Sequence, residues 1–158
     1  MTEKHSLRDY PALANKLLTA ASVTDRDERM RAATDLLWEG LSGQGVHWLG
    51  FYKLTEAGDA MVLVACRPKP ACSPIGLHGV CGRGILERTS QVVEDCHALG
   101  ASHIVCDPAN RAEVVVPLIE ADESCQAVLD LDSRDLASFS QEDARGLVEV
   151  LRAAGLTR

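Results

Sequence analysis

Val128-Leu129-Asp130-Leu131-Asp132 alternates aliphatic and acidic residues with a period of two. Successive side chains of a β-strand point to opposite faces, so Asp130 and Asp132 should share one face and Leu129 and Leu131 the other. Two carboxylates side by side on a sheet repel, which costs stability unless something binds them. Upstream lies a β-branched run, Val114-Val115-Val116-Pro117-Leu118, and between the two runs Glu120-Ala-Asp-Glu-Ser124 reads as a turn. A hairpin is expected, with Glu113 at its entrance. If Glu113 points the same way as the aspartates, three acids converge. Crowding and burial would then raise at least one carboxyl, leaving it protonated and able to donate a proton. Such a face has three readings: an exposed acidic surface, a metal site, or a seat for a cationic amino group. No clustered histidine spacing favours the metal.

Seven residues before Glu113 stands Cys106, in the polar stretch His103-Ile-Val-Cys-Asp-Pro-Ala-Asn110. A thiol that only fills a core sits in an apolar element. The Asp, Pro and Asn around Cys106 argue for turns, and a loop thiol anchored by a strand is where a reactive cysteine is placed. His103 beside it offers either a base or a hydrogen bond that orients the loop.

The remaining chain supplies scaffold and possible partners for that sulfur. Residues 7–21 and 25–42 carry helical apolar spacing, the second behind an acidic cap at Thr24-Asp25-Arg26-Asp27-Glu28. Val46–Leu54 reads as a strand on which Trp48 and Tyr52 share a face, and Glu56–Asp59 turns it into a second strand over 60–66. Aromatic residues make up only 4% of the chain, so two on one face hint at a site. Three prolines interrupt Arg67–Pro74, which is expected to be a mobile loop carrying Cys72. Gly76–Gly84 opens a short helix near 80–90 that bears Cys81. Gln91–Glu94 is a short strand, 95–102 a loop, and Ser138-Phe-Ser-Gln-Glu142 caps a last helix over 140–155. The expected fold is α+β, an antiparallel sheet with helices on its faces.

At 158 residues, 46% apolar and 25% charged, the chain reads as one globular domain. The N-terminal helices occupy 1–43. A net charge of −7 argues against nucleic acid or an anionic membrane as partner. No apolar run reaches the ~20 residues of a membrane span, and Met1-Thr-Glu-Lys-His leads into no apolar signal, so a cytoplasmic location is expected. There the six cysteines are not a structural disulfide framework, and catalytic, redox or metal roles gain weight.

Taken in order, Trp48-Leu-Gly-Phe-Tyr52, Ala71-Cys72, Gly79-Val-Cys-Gly82, Glu94-Asp95, His103-Ile-Val-Cys-Asp107, Glu113 with Val116-Pro-Leu118, and Val128-Leu-Asp-Leu-Asp-Ser133 resemble the free methionine-(R)-sulfoxide reductases, single-domain GAF proteins. The resemblance covers about residues 46–142, which it implies as the catalytic core. It implies a central antiparallel sheet of about six strands flanked by helices. It implies Cys106 as catalytic thiol, Cys72 as resolving thiol and Cys81 as an auxiliary in the same relay. Trp48 and Tyr52 would cage the substrate methyl group. Glu113, Asp130 and Asp132 would contact the sulfoxide oxygen and the amino group, with Asp132 also counted among the catalytic residues. No bound cofactor or metal is implied; thioredoxin would be the external reductant, and a homodimer is compatible with the family. Cys66, Cys96 and Cys125 fall outside the pattern and read as structural thiols. Pro68, Leu77-His78 and Arg111 depart from it. The alternative reading is a GAF module that binds a small molecule or senses redox state without turnover.

Overall fold

The computed structural model describes residues 8–100, 103–104 and 106–158. The predicted helix start at Leu7, and Ser102 and Val105 of the cysteine loop, lie outside the described residues. Among the described residues four helices and five strands follow one another as α1 (Tyr10–Leu17), α2 (Arg26–Leu41), β1 (Trp48–Leu54), β2 (Met61–Arg67), α3 (Val80–Glu87), β3 (Gln91–Val93), β4 (Ala112–Ile119), β5 (Cys125–Ser133) and α4 (Gln141–Ala153). Short 3-10 turns cover Leu18–Ser22 and Cys96–Ala98.

The helix starts follow from capping chemistry. Asp9 accepts the Ala12 amide at α1, with Pro11 in the first turn, and Asp25 accepts the Glu28 amide at α2. At α4, Ser140 and Asp143 form a reciprocal capping box. The buried Asp143 also receives Tyr10 Oη at 2.6 Å and Arg8 Nη1 at 3.0 Å, which fastens α4 to the start of the chain. Gly146 lets the two helices close: a Cβ there would collide with the Tyr10 ring.

The strands form one antiparallel sheet in the order β2-β1-β5-β4-β3. Sequence patterning gives the α+β class, and the resemblance implies about six strands; five form among the described residues. Beside β2, where the chain returns, only a lone bridge joins Met61 and Ile75. Prolines 68, 70 and 74 have no amide hydrogen to donate, so that segment cannot extend a ladder.

Period-two alternation divides the sheet into two unlike faces. Leu49, Phe51, Val114, Val116, Leu129 and Leu131 point to one side, where they form a continuous apolar core with α1, α2 and α4. Trp48, Tyr52, Val115 and Val128 point to the other, with α3 packed over part of it. The rest of that second face is the candidate site.

Candidate active site

Strand register decides which groups meet. Asp132 is flanked by Trp48 on β1 and Glu113 on β4, and Asp130 by Gly50 and Val115. Glu113 therefore shares the face of both aspartates, as the hairpin reading requires. All three carboxyls are buried, with Glu113 6% and Asp130 5% exposed. No donor among the described residues reaches Glu113 Oε1 or Asp130 Oδ1. Buried carboxyl oxygens without donors hold a proton or await a cation. Burial first, and the neighbouring carboxyls second, push Asp130 and Asp132 well above the ordinary carboxylate range. Both shifts favour keeping a proton on the aspartate pair.

The aromatic pair forms the adjoining wall. Trp48 and Tyr52 lie with ring centroids 6.2 Å apart. The indole folds over Gly50, where a Cβ would stand 2.5 Å from the Trp48 ring and 2.9 Å from the Ala65 carbonyl oxygen. Only glycine admits that approach. Both polar tips reach the proline-interrupted loop: Trp48 Nε1 donates to the Lys69 carbonyl and Tyr52 Oη to the Cys72 carbonyl, each at 2.8 Å. Leu63 N donates to Ser73 Oγ at 3.0 Å, which fixes the loop to the edge strand as well.

The two loops close on each other through a disulfide between Cys72 and Cys106, their Cα atoms 5.7 Å apart. Both cysteines are exposed, so the bond lies at the outer rim of the site. Beneath it is Cys81, buried in the first turn of α3. Burial and the charges of Asp130, Glu113 and Asp132 push its thiol well up, so it stays protonated and is a poor nucleophile as it stands. The cysteine loop is shaped from its own side. His97 Nε2 lies 3.0 Å from both the Pro108 and Asn110 carbonyls, and Asp107 accepts the Ala109 amide.

The resulting cleft encloses about 480 Å³, its mouth included. Trp48, Tyr52, Cys81, Cys106, Glu113, Asp130 and Asp132 all line it; Cys72 caps it through the disulfide. The residues that the resemblance assigns to the site, Trp48, Tyr52, Cys72, Cys81, Cys106, Glu113, Asp130 and Asp132, thus gather around one cleft. Arg111, the bulky departure, points away from the cleft and pairs with Asp95 at 3.4 Å. His103 lines the wall. Cys96, read from sequence as a structural thiol, is buried beside the carboxyl trio, a proximity that its spacing did not indicate. Its thiol, His103 and Glu113 each place a donor atom within 4.8 Å of the others, as do Cys81, Glu113 and Asp130. Cys96 is 1% exposed, and burial with nearby Glu113 and Asp132 pushes its thiol up to about 12. The only sequence signal was its place just after Glu94-Asp95, on the turn leading toward the cysteine loop.

The whole arrangement can perform sulfur redox chemistry: an accessible thiol pair at the rim, a proton source behind it, and an aromatic wall. No family model matches the chain. Individual relatives do. The free methionine-R-sulfoxide reductase of Escherichia coli (strain K12) is 37% identical over 118 residues, spanning 73% of this chain and 67% of that protein. The crystal structure of free methionine-R-sulfoxide reductase from Neisseria meningitidis in complex with its substrate superposes with a TM-score of 0.83 at 32% identity, covering 98% of this chain and 89% of that one. A GAF domain structure at 24% identity shares the fold, with a TM-score of 0.82 over 99% of this chain and 93% of its own.

Proposed function

The chain belongs to the free methionine-(R)-sulfoxide reductases, GAF-fold oxidoreductases acting on sulfur, and from that premise we propose which of its residues carry the chemistry. The substrate is free L-methionine (R)-S-oxide and the product L-methionine. Its methyl group packs against Trp48 and Tyr52. Its ammonium group takes the donor-free oxygens of Glu113 Oε1 and Asp130 Oδ1, which meet no other donor among the described residues. Its sulfoxide oxygen faces Asp132.

In the reduced enzyme the Cys106 thiolate attacks the sulfoxide sulfur. The oxygen must be protonated for the S–O bond to be exchanged, and a neutral Asp132 supplies that proton as general acid. Methionine leaves, and Cys106 carries the oxygen as a sulfenic acid. The Cys72 thiol attacks the Cys106 sulfur; water departs and the disulfide forms. An external dithiol reduces the disulfide by exchange, becoming oxidised itself. The balance is one sulfoxide and one dithiol converted to one thioether, one disulfide and one water. No bound cofactor enters the cycle. Thioredoxin is the dithiol this reading assigns, and a reducing cytoplasmic setting suits it. Cys81, buried and protonated, stands in reserve behind Cys72.

The observation that carries this assignment is the Cys72–Cys106 bond closing over three convergent carboxyls. The test is NADPH oxidation coupled through thioredoxin reductase and thioredoxin, with free methionine (R)-sulfoxide as substrate. Turnover is expected with that epimer and with neither the (S) epimer nor a peptide-bound sulfoxide. Equal turnover of the peptide-bound form would overturn the site assignment. Binding without turnover of either epimer would instead support a redox-sensing module. Sedimentation of the reduced protein tests the homodimer that the family suggests.

A further inference from the structure

We propose that Cys96, His103 and Glu113 form a binding site for a divalent cation of zinc type, and that its occupation shuts the reductase down. The three residues come from separate elements: the 3-10 turn after β3, the loop leading to Cys106, and the start of β4. Sequence separation hides the set; folding collects it. One donor atom of each lies within 4.8 Å of the other two. Tetrahedral zinc, with bonds of about 2.0–2.3 Å to nitrogen, oxygen and sulfur, holds its ligand atoms roughly 3.5 Å apart. Side-chain rotation closes the difference.

Donor chemistry favours the same ion. Sulfur, imidazole nitrogen and carboxylate oxygen together suit zinc better than magnesium or calcium, which prefer oxygen alone. Once the cation displaces the thiol proton to solvent, one thiolate and one carboxylate balance its two charges. Glu113 is the independent sign of a ligand: it is 6% exposed, and its Oε1 meets no donor among the described residues. The neighbouring set of Cys81, Glu113 and Asp130 has no nitrogen and three potential anions, and it lies wholly within the substrate cleft. The Cys96 set has a second approach. A second crevice, about 560 Å³ with its open mouth included and lined by Cys96, His97, Gly100, His103, Asp107 and Pro108, adjoins it. His103 borders both spaces.

The inhibitory consequence rests on the functional reading above, because both sites draw on Glu113. A cation there removes this carboxyl from the substrate and tethers His103, three residues before Cys106. Cation binding itself does not depend on that reading.

Cobalt(II) titration of the oxidised protein tests the binding, since the Cys72–Cys106 disulfide keeps those sulfurs from ligating. One equivalent should produce a thiolate-to-cobalt charge-transfer band. Cys96→Ala and His103→Ala should abolish it, and Cys81→Ala should retain it. His103 is half-buried on a loop, so its variant guards against misfolding of the Cys96 variant. No band, or a band that survives Cys96→Ala or vanishes in Cys81→Ala, overturns the site. In the coupled assay, zinc should inhibit the parent enzyme at least tenfold more effectively than Cys96→Ala, whose turnover without zinc should match the parent's. Equal inhibition of the two would overturn the regulatory part. A protein that binds cobalt as expected but reduces no sulfoxide would leave the metal site standing and remove the functional reading.

Discussion

On β5, Leu129 and Leu131 point into the layer built with α1, α2 and α4, while Asp130 and Asp132 on the same backbone point into the cleft. The first face is close to pure hydrocarbon and fully buried. Each such leucine contributes about 1.5–3 kcal/mol on leaving water. The second face buries three carboxyls, two with oxygens lacking donors, and a thiol pushed up beneath them. Those groups oppose folding. The difference between the faces separates two tasks on one sheet: the helical layer supplies stability, and the cleft holds groups that, under the proposed function, substrate would satisfy.

The sharpest test of that division is at the rim. Cys106→Ser should lower turnover by about 10⁴-fold or more, as loss of a covalent nucleophile does. Because residue 106 is exposed, the variant should melt within a degree or two of the reduced parent. Retained activity would end the thiol mechanism.

A paired substitution on β5 comes next. Asp132→Asn should cost about 10²–10⁴-fold in kcat, the range of a general acid, without lowering the melting temperature. Leu131→Ala, one residue away, should do the reverse. It should lose about 2–5 kcal/mol of stability and keep kcat/KM within about twofold at low temperature. Matching losses in both assays for both variants would show that the faces are not separable.

The pH dependence of stability sharpens the same contrast. Asp130 and Asp132 are raised in the folded protein, so folding favours their protonated forms. Their contribution is complete below the ordinary aspartate value of 3.8 and is lost as pH rises through the folded values. Thermal melts should therefore decline from mildly acidic to alkaline pH. Asp130→Asn should flatten that decline, gaining about 2–4 °C per kcal/mol recovered at the alkaline end. A parallel decline in the variant would place the cause elsewhere.

The smallest effect is expected from Tyr52→Phe. It removes the hydrogen bond to the Cys72 carbonyl and leaves the ring in the aromatic wall. Net loss of about 1 kcal/mol should slow disulfide closure roughly fivefold. In rapid-mixing experiments with a sulfenic-acid trap, more Cys106 should be captured while the initial release of methionine keeps its rate.

The sequence carried the two-faced strands because alternation is a local signal. Asp130 with Asp132, and Trp48 with Tyr52, follow from spacing alone once a strand is assumed. The helix starts at Asp25 and Ser140 are equally local, since a cap needs only its first turn. Strand count was less legible: whether the proline-interrupted stretch pairs along β2 depends on tertiary packing, and only Met61 and Ile75 do so. The surroundings of Cys96 were illegible for the same reason. Its neighbours in sequence say nothing of His103 or Glu113, which reach it through a loop and a different strand. Nor does spacing reveal that the tips of Trp48 and Tyr52 reach backward to the loop carrying Cys72.

That last contact gives the protein an optical gauge. The chain has two tryptophans, Trp38 on α2 and Trp48 in the cleft. The indole N–H of Trp48 is bonded to a loop that the disulfide ties down. With Trp38 replaced by Phe, the remaining emission comes from a fluorophore whose surroundings change whenever that loop is released. A change in that emission on reduction of the disulfide would report the loop's release from the protein's own ultraviolet light, in milliseconds and without a dye.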